Sequence, residues 1–108
     1  MSKRIEFKYQ GEDYCLEYNR MAIKMIEQQG FDYDEFMKKP MTMGDLAFQG
    51  AFIKNHKNIK VQKINEIYDC LNDKSKLITT LLEMIQETYE DLYSDNKDES
   101  KNTEWKIV

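Results

Sequence analysis

The feature that most constrains this chain is a change of hydrophobic period at Asn19. Before it, Ile5, Phe7 and Tyr9 alternate with Glu6, Lys8 and Gln10, and Tyr14, Leu16 and Tyr18 repeat the alternation with Cys15 and Glu17 on the other face. That period of two is the pattern of half-buried strands. Gln10-Gly11-Glu12-Asp13 between the two runs suits a short hairpin loop. After Asn19 the apolar residues recur every three or four positions instead. A lone two-stranded hairpin is marginal in water, so its apolar face has to pack on the helices that follow. The expected fold class is α+β: an N-terminal antiparallel β-hairpin packed on about four α-helices, with a disordered C-terminal tail.

The helical part divides at local stop signals. Asn19 suits the N-cap of a helix through Gln29, whose apolar positions include Ala22, Ile23, Met25 and Ile26, and Gly30 suits its C′ position. Asp32 or Asp34 can cap a single turn containing Phe36 and Met37, ending before Pro40. Thr42 and Asp45 resemble a capping box, which predicts a helix from Met43 to about Asn55, apolar nearly all round through Leu46, Ala47, Phe48, Ala51, Phe52 and Ile53. Val61, Ile64, Ile67, Tyr68 and Leu71 follow helical spacing, Asn72-Asp73 breaks and recaps the chain, and Leu77, Ile78, Leu81, Leu82, Ile85, Tyr89 and Leu92 form a continuous stripe. Nothing apolar occurs from Ser94 to Thr103. The reading is a single α+β domain over residues 1–93 and a flexible acidic tail over 94–108 that ends in a Trp-containing segment.

Composition narrows the function classes. The 108 residues carry sixteen Lys and Arg against twenty Asp and Glu, a net charge of -4. Such a balance opposes nucleic-acid binding, which needs a basic surface to neutralise phosphates. The one basic patch, Lys54, His56, Lys57, Lys60 and Lys63, has no aromatic residue interleaved to stack bases. No apolar run reaches the roughly 20 residues of a membrane span, and Met1-Ser2-Lys3-Arg4 passes directly into charged alternation, unlike a signal peptide. Cys15 and Cys70 lack metal-type spacing and fit small buried or half-buried residues of a reduced, cytoplasmic protein.

Catalytic and cofactor chemistry finds little support. His56 stands in a Lys-rich helix end with its nearest acids, Asp45 and Glu66, about ten residues away, and reads as a surface histidine rather than a general base. Gly11, Gly30, Gly44 and Gly50 are too scattered for a phosphate loop. Asp32, Asp34 and Glu35 lack the glycine and downstream Glu of an EF-hand and fit helix capping. Glu83, Glu87, Glu90 and Asp91 share a solvated face. The expectation is a protein with no catalytic residues, cofactor or metal.

The methionines carry more information. Met21, Met25, Met37, Met41 and Met43 fall in one segment with Phe31, Tyr33 and Phe36. Methionine fills core gaps, and on a surface it adapts to varied apolar partners. Set beside an all-round apolar helix, the cluster fits a protein-binding groove, with Met41, Met43, Phe48 and Phe52 as candidate contacts and Trp105 as a mobile anchor.

The order of segments also resembles a family. The hairpin from Ile5 to Arg20 is followed by Lys24-Met-Ile-Glu-Gln-Gln-Gly-Phe31, then by Lys39-Pro-Met-Thr-Met43 leading into Phe48-Gln-Gly-Ala-Phe52. This arrangement, over residues 4–93 and with the closing Glu104-Trp105, resembles the small tail assembly chaperones of long-tailed phages and prophages of Gram-positive bacteria. The resemblance implies a non-enzymatic protein that binds the long helical tape measure protein, helps recruit tail tube subunits and leaves before the virion is complete. It implies no catalytic residue, and it is compatible with self-association. A small prophage-encoded adaptor or regulator, binding one host or phage protein stoichiometrically, is the alternative from the residues.

Overall fold

The computed structural model describes residues 3–93 and 106–107. The flexible tail expected over 94–108 lies almost wholly outside these residues, and so does Trp105. Strands β1 (Ile5–Tyr9) and β2 (Glu12–Leu16) pair antiparallel, with Ile5 opposite Leu16 and Phe7 opposite Tyr14. Gln10 and Gly11 form the loop, at φ 51° and 81°. Two consecutive positive φ values are what a primed two-residue hairpin turn requires, so Glu12 and Asp13 belong to β2 rather than to the loop. The Phe7 and Tyr14 rings stack across the strands at 5.3 Å.

Helix α1 (Arg20–Gln28) begins as expected, Asn19 Oδ1 accepting from the Ala22 N–H at 2.8 Å. It ends in a Schellman arrangement. Gly30, at φ 108°, donates to the Glu27 carbonyl, and Phe31 donates to that of Ile26. Phe31 is buried, so the same motif that satisfies the last carbonyls also turns an aromatic ring into the core. A 3-10 turn over Tyr33–Glu35 follows, with Asp32 accepting from the Asp34 N–H.

Helix α2 (Pro40–Gly50) departs from the expected Met43 start. Thr42 and Asp45 lie inside it, Lys39 is the N-cap without a side-chain cap bond, and Pro40 opens the first turn. Proline fixes φ near its helical value and has no N–H to leave unsatisfied, so it starts the helix where a side-chain cap was expected. The regular helix ends at Gly50, with Ala51 still donating to the Ala47 carbonyl. Residues 51–55 wind on in tighter turns, Phe52 donating to Gln49 and Ile53 to Gly50. The Ala51 carbonyl accepts the Glu17 N–H at 3.1 Å, which ties the end of the hairpin to the end of α2.

Helix α3 (Val61–Cys70) is followed by α4 (Lys74–Tyr93). Asp73 recaps the chain from φ 50°, its carboxylate accepting from the Lys76 N–H at 3.3 Å. Both strands and all four α-helices contribute to one core, β1 through the partly buried Ile5, Phe7 and Tyr9. Leu16, Ile26, Phe48, Phe52, Ile67, Leu81 and Ile85 are its largest fully buried side chains. Gly50 marks the closest approach of α2 to α1, since a Cβ there would sit 2.6 Å from Ile26 Cγ2. The fold is α+β, a hairpin on four α-helices, and among the described residues no helix is long and apolar enough to cross a membrane.

Two side chains differ from their sequence reading. Cys70 is exposed, whereas Cys15 is half-buried. His56 is not a free surface histidine: its Nε2 accepts the Cys15 N–H at 3.0 Å, and its ring lies 5.0 Å from that of Tyr14. Asn55 donates to the Cys15 carbonyl at 3.2 Å. Together they satisfy both backbone groups of Cys15 on the outer edge of β2, as a third strand would.

Candidate partner-binding groove

The turn after Glu35 and the start of α2 face α4 across an open groove of about 510 Å³. Lys38 and Lys39 both donate to the Glu35 carbonyl, which folds the chain back so that Met37 precedes Pro40 at the groove edge. From α2 come Met41 and Gly44, spaced three apart and therefore on one helical face. From α4 come Ile78 and Leu82, again one turn apart, and α3 adds Tyr68. Met37 is 88% exposed and Met41 82%, while Ile78, Leu82 and Tyr68 are partly buried. The arrangement is an apolar surface bordered by two flexible thioether side chains, with Asp45 and Lys74 as its charged members.

Lys74 is held in place at one end. Its ammonium donates to the Leu71 carbonyl at 2.9 Å and lies 5.4 Å from the centre of the Tyr68 ring. Gly44 keeps the groove open: a Cβ there would lie 3.6 Å from Ile78 Cδ1, an ordinary contact that would partly fill the space without a clash.

Of the residues expected to meet a partner, the structure places only Met41 on this surface. Met43 is 4% exposed, and the Asp32 N–H points at its sulfur from 3.4 Å. Phe48 and Phe52 are 2% and 1% exposed and pack edge to face at 5.1 Å, with Phe48 also against Tyr68. These three are core residues, which corrects their assignment as contacts. Met43 and Phe48 sit on the buried side of α2, and Phe52 lies in the turns beyond it. Trp105 lies outside the described residues. Sequence reasoning put Met37 in the methionine cluster without naming it a contact, and it missed Tyr68, Ile78 and Leu82. The available signal was the width of the α4 stripe, since the adjacent pairs Leu77-Ile78 and Leu81-Leu82 spread its apolar surface beyond one narrow face.

The ionisable groups point to structural work. The Asn55 amide and then the Lys54 ammonium hold the Glu17 carboxyl below the usual carboxylate range. Burial raises the Tyr18 phenol, whose hydroxyl donates to the Ala47 carbonyl inside the core. Among the described residues no three His, Cys, Asp or Glu side chains are grouped so as to hold a metal ion.

Fold and groove thus define a small α+β domain built around one apolar core, with an open apolar surface between α2 and α4. The chain belongs to the DUF5055 family, a domain of unknown function, whose model matches residues 1–108. No curated protein and no solved structure matches it.

Proposed function

We propose that this protein is a phage tail assembly chaperone. It is non-catalytic, acts in the bacterial host cytoplasm, binds the tape measure protein and helps recruit tail tube subunits. The observation that carries this reading is the groove bordered by Met37 and Met41 and lined by Tyr68, Ile78 and Leu82. A groove of this kind accepts the apolar face of a helix, and methionine tolerates variation in the residues it meets. The segment order of residues 4–93, which resembles the tail chaperones, supports the same reading.

The energetics suit a transient coat. Burying a few hundred Å² of apolar surface is worth several kcal/mol before ordering costs are subtracted. One groove therefore binds weakly and releases readily, and many copies along a long client gain avidity.

The test is co-expression with a tape measure protein, followed by pull-down and size exclusion with light scattering. A soluble complex with several copies per client supports the proposal, and Met41→Glu should then reduce co-purification by at least about tenfold. Met41 is exposed, so that variant keeps its core. An insoluble client with no complex overturns the proposal, and a fixed one-to-one complex with a different protein favours the adaptor reading.

A further inference from the structure

A second groove, of about 680 Å³, lies where the α2 turns lead into α3 and shares no lining residue with the first. Tyr14, Asn58, Ile59, Lys57, Lys60 and Lys63 line it, with Glu12 as its single acid. Lys54 nearby is ion-paired to Glu17 at 3.1 Å, but among the described residues Lys57, Lys60 and Lys63 have no carboxylate partner. A chain of net charge -4 has therefore gathered three unpaired cations around one concave, partly apolar surface.

The local sequence is also unfavourable for the helix it begins. Lys60 occupies the N-cap of α3 in extended geometry (φ -82°, ψ 146°) without a side-chain cap bond, and the first turn holds no acid. Cations at the positive end of a helix dipole oppose helix formation, and Asp, Asn or Ser is preferred at the N-cap. Local rules broken together in this way are expected at binding surfaces.

We propose that this groove docks an acidic segment of a partner protein. Carboxylates of that segment meet Lys57, Lys60 and Lys63, and an apolar side chain rests against Ile59. A protein segment fits better than nucleic acid. No exposed aromatic side chain lines the groove to stack bases, since the Tyr14 ring is buried and cannot serve as a stacking platform. The proposal does not depend on the chaperone reading, because it concerns a separate surface.

The probe is a fluorescein-labelled peptide of about twelve residues, half of them Glu and two of them Leu, titrated into the full chain. Saturable binding is expected, weakening roughly tenfold between about 50 and about 300 mM salt as screening shortens the reach of the lysines. Backbone amide shifts should centre on residues 57–64. Combined Lys57→Glu, Lys60→Glu and Lys63→Glu should lose at least about tenfold in affinity. A double change at Lys38 and Lys39, exposed lysines outside this groove, should not. Lys60→Asp alone should raise the melting temperature while weakening the peptide, a combination that a purely structural patch would not give. The proposal is overturned by unchanged affinity in the triple variant, by amide shifts centred on Met37 and Met41, or by no saturable binding at about 1 mM peptide. Tighter binding of a short DNA duplex than of the peptide overturns it too, and assigns the groove to nucleic acid.

Discussion

Two glycines of α2 illustrate how much a single methyl group can decide. At Gly50 an added Cβ would lie 2.6 Å from Ile26 Cγ2, and Ile26 is itself locked in the core. Gly50→Ala is therefore expected to cost about 1–3 kcal/mol through overpacking. Gly44→Ala meets Ile78 only at 3.6 Å and gains helix propensity, so it should be neutral or stabilising by up to about 1 kcal/mol. Urea denaturation of the two variants checks both, and equal effects would show that α1 and α2 are not in close contact. Glu17 makes a pH-dependent prediction at the same scale. Its carboxyl is depressed in the folded chain by the Asn55 amide and Lys54, so its contribution is present above the ordinary Glu value of about 4.3 and is lost as pH falls through the lower folded value. Melts between about pH 3 and 6 should show this acid loss in the parent and a shallower one in Glu17→Gln.

Among the elements, the hairpin is the least self-sufficient. β1 covers one edge of β2, and on the other edge the Cys15 backbone is met by side chains from the turns after α2, through His56 and Asn55. The His56 Nε2 accepts the Cys15 N–H in place of a strand carbonyl. His56→Ala should remove that bond and the packing against Tyr14, costing about 1–3 kcal/mol. Hydrogen exchange would place the loss, with faster exchange of the Cys15 amide and little change in α4. Uniform acceleration over the chain would mean that β2 and the helices unfold as one unit. The start of α2 shows the same interplay of local and distant forces. A plausible capping box at Thr42 and Asp45 was overridden by Pro40, because the α2 backbone already had a fixed φ three residues earlier.

At the level of the whole molecule, every buried apolar residue of the described chain lies between Tyr14 and Ile85, and Ile107 is 90% exposed. Deleting residues 95–108 should leave the melting temperature nearly unchanged and, on the proposed function, weaken client capture; a large fall would make that segment part of the core. Much of the architecture was legible without coordinates. The switch of period at Asn19 marks hairpin from helices, Asn19, Gly30 and Asp73 mark helix ends, and the α4 stripe marks the longest helix, because periodicity and capping are properties of residues within a few positions of one another. The surface was less legible. Phe48 and Met41 sit on the same apolar helix, and only tertiary packing, with Phe52 and Tyr68 against Phe48, buries the first and leaves the second in solvent. His56 could not be read either, since its partner Cys15 is 41 residues away. The sequence by itself determined the kinds of element and their order through short-range spacing. Which apolar faces were spent on the core, and which remained as grooves, was decided only when elements distant in the chain competed for the same buried volume.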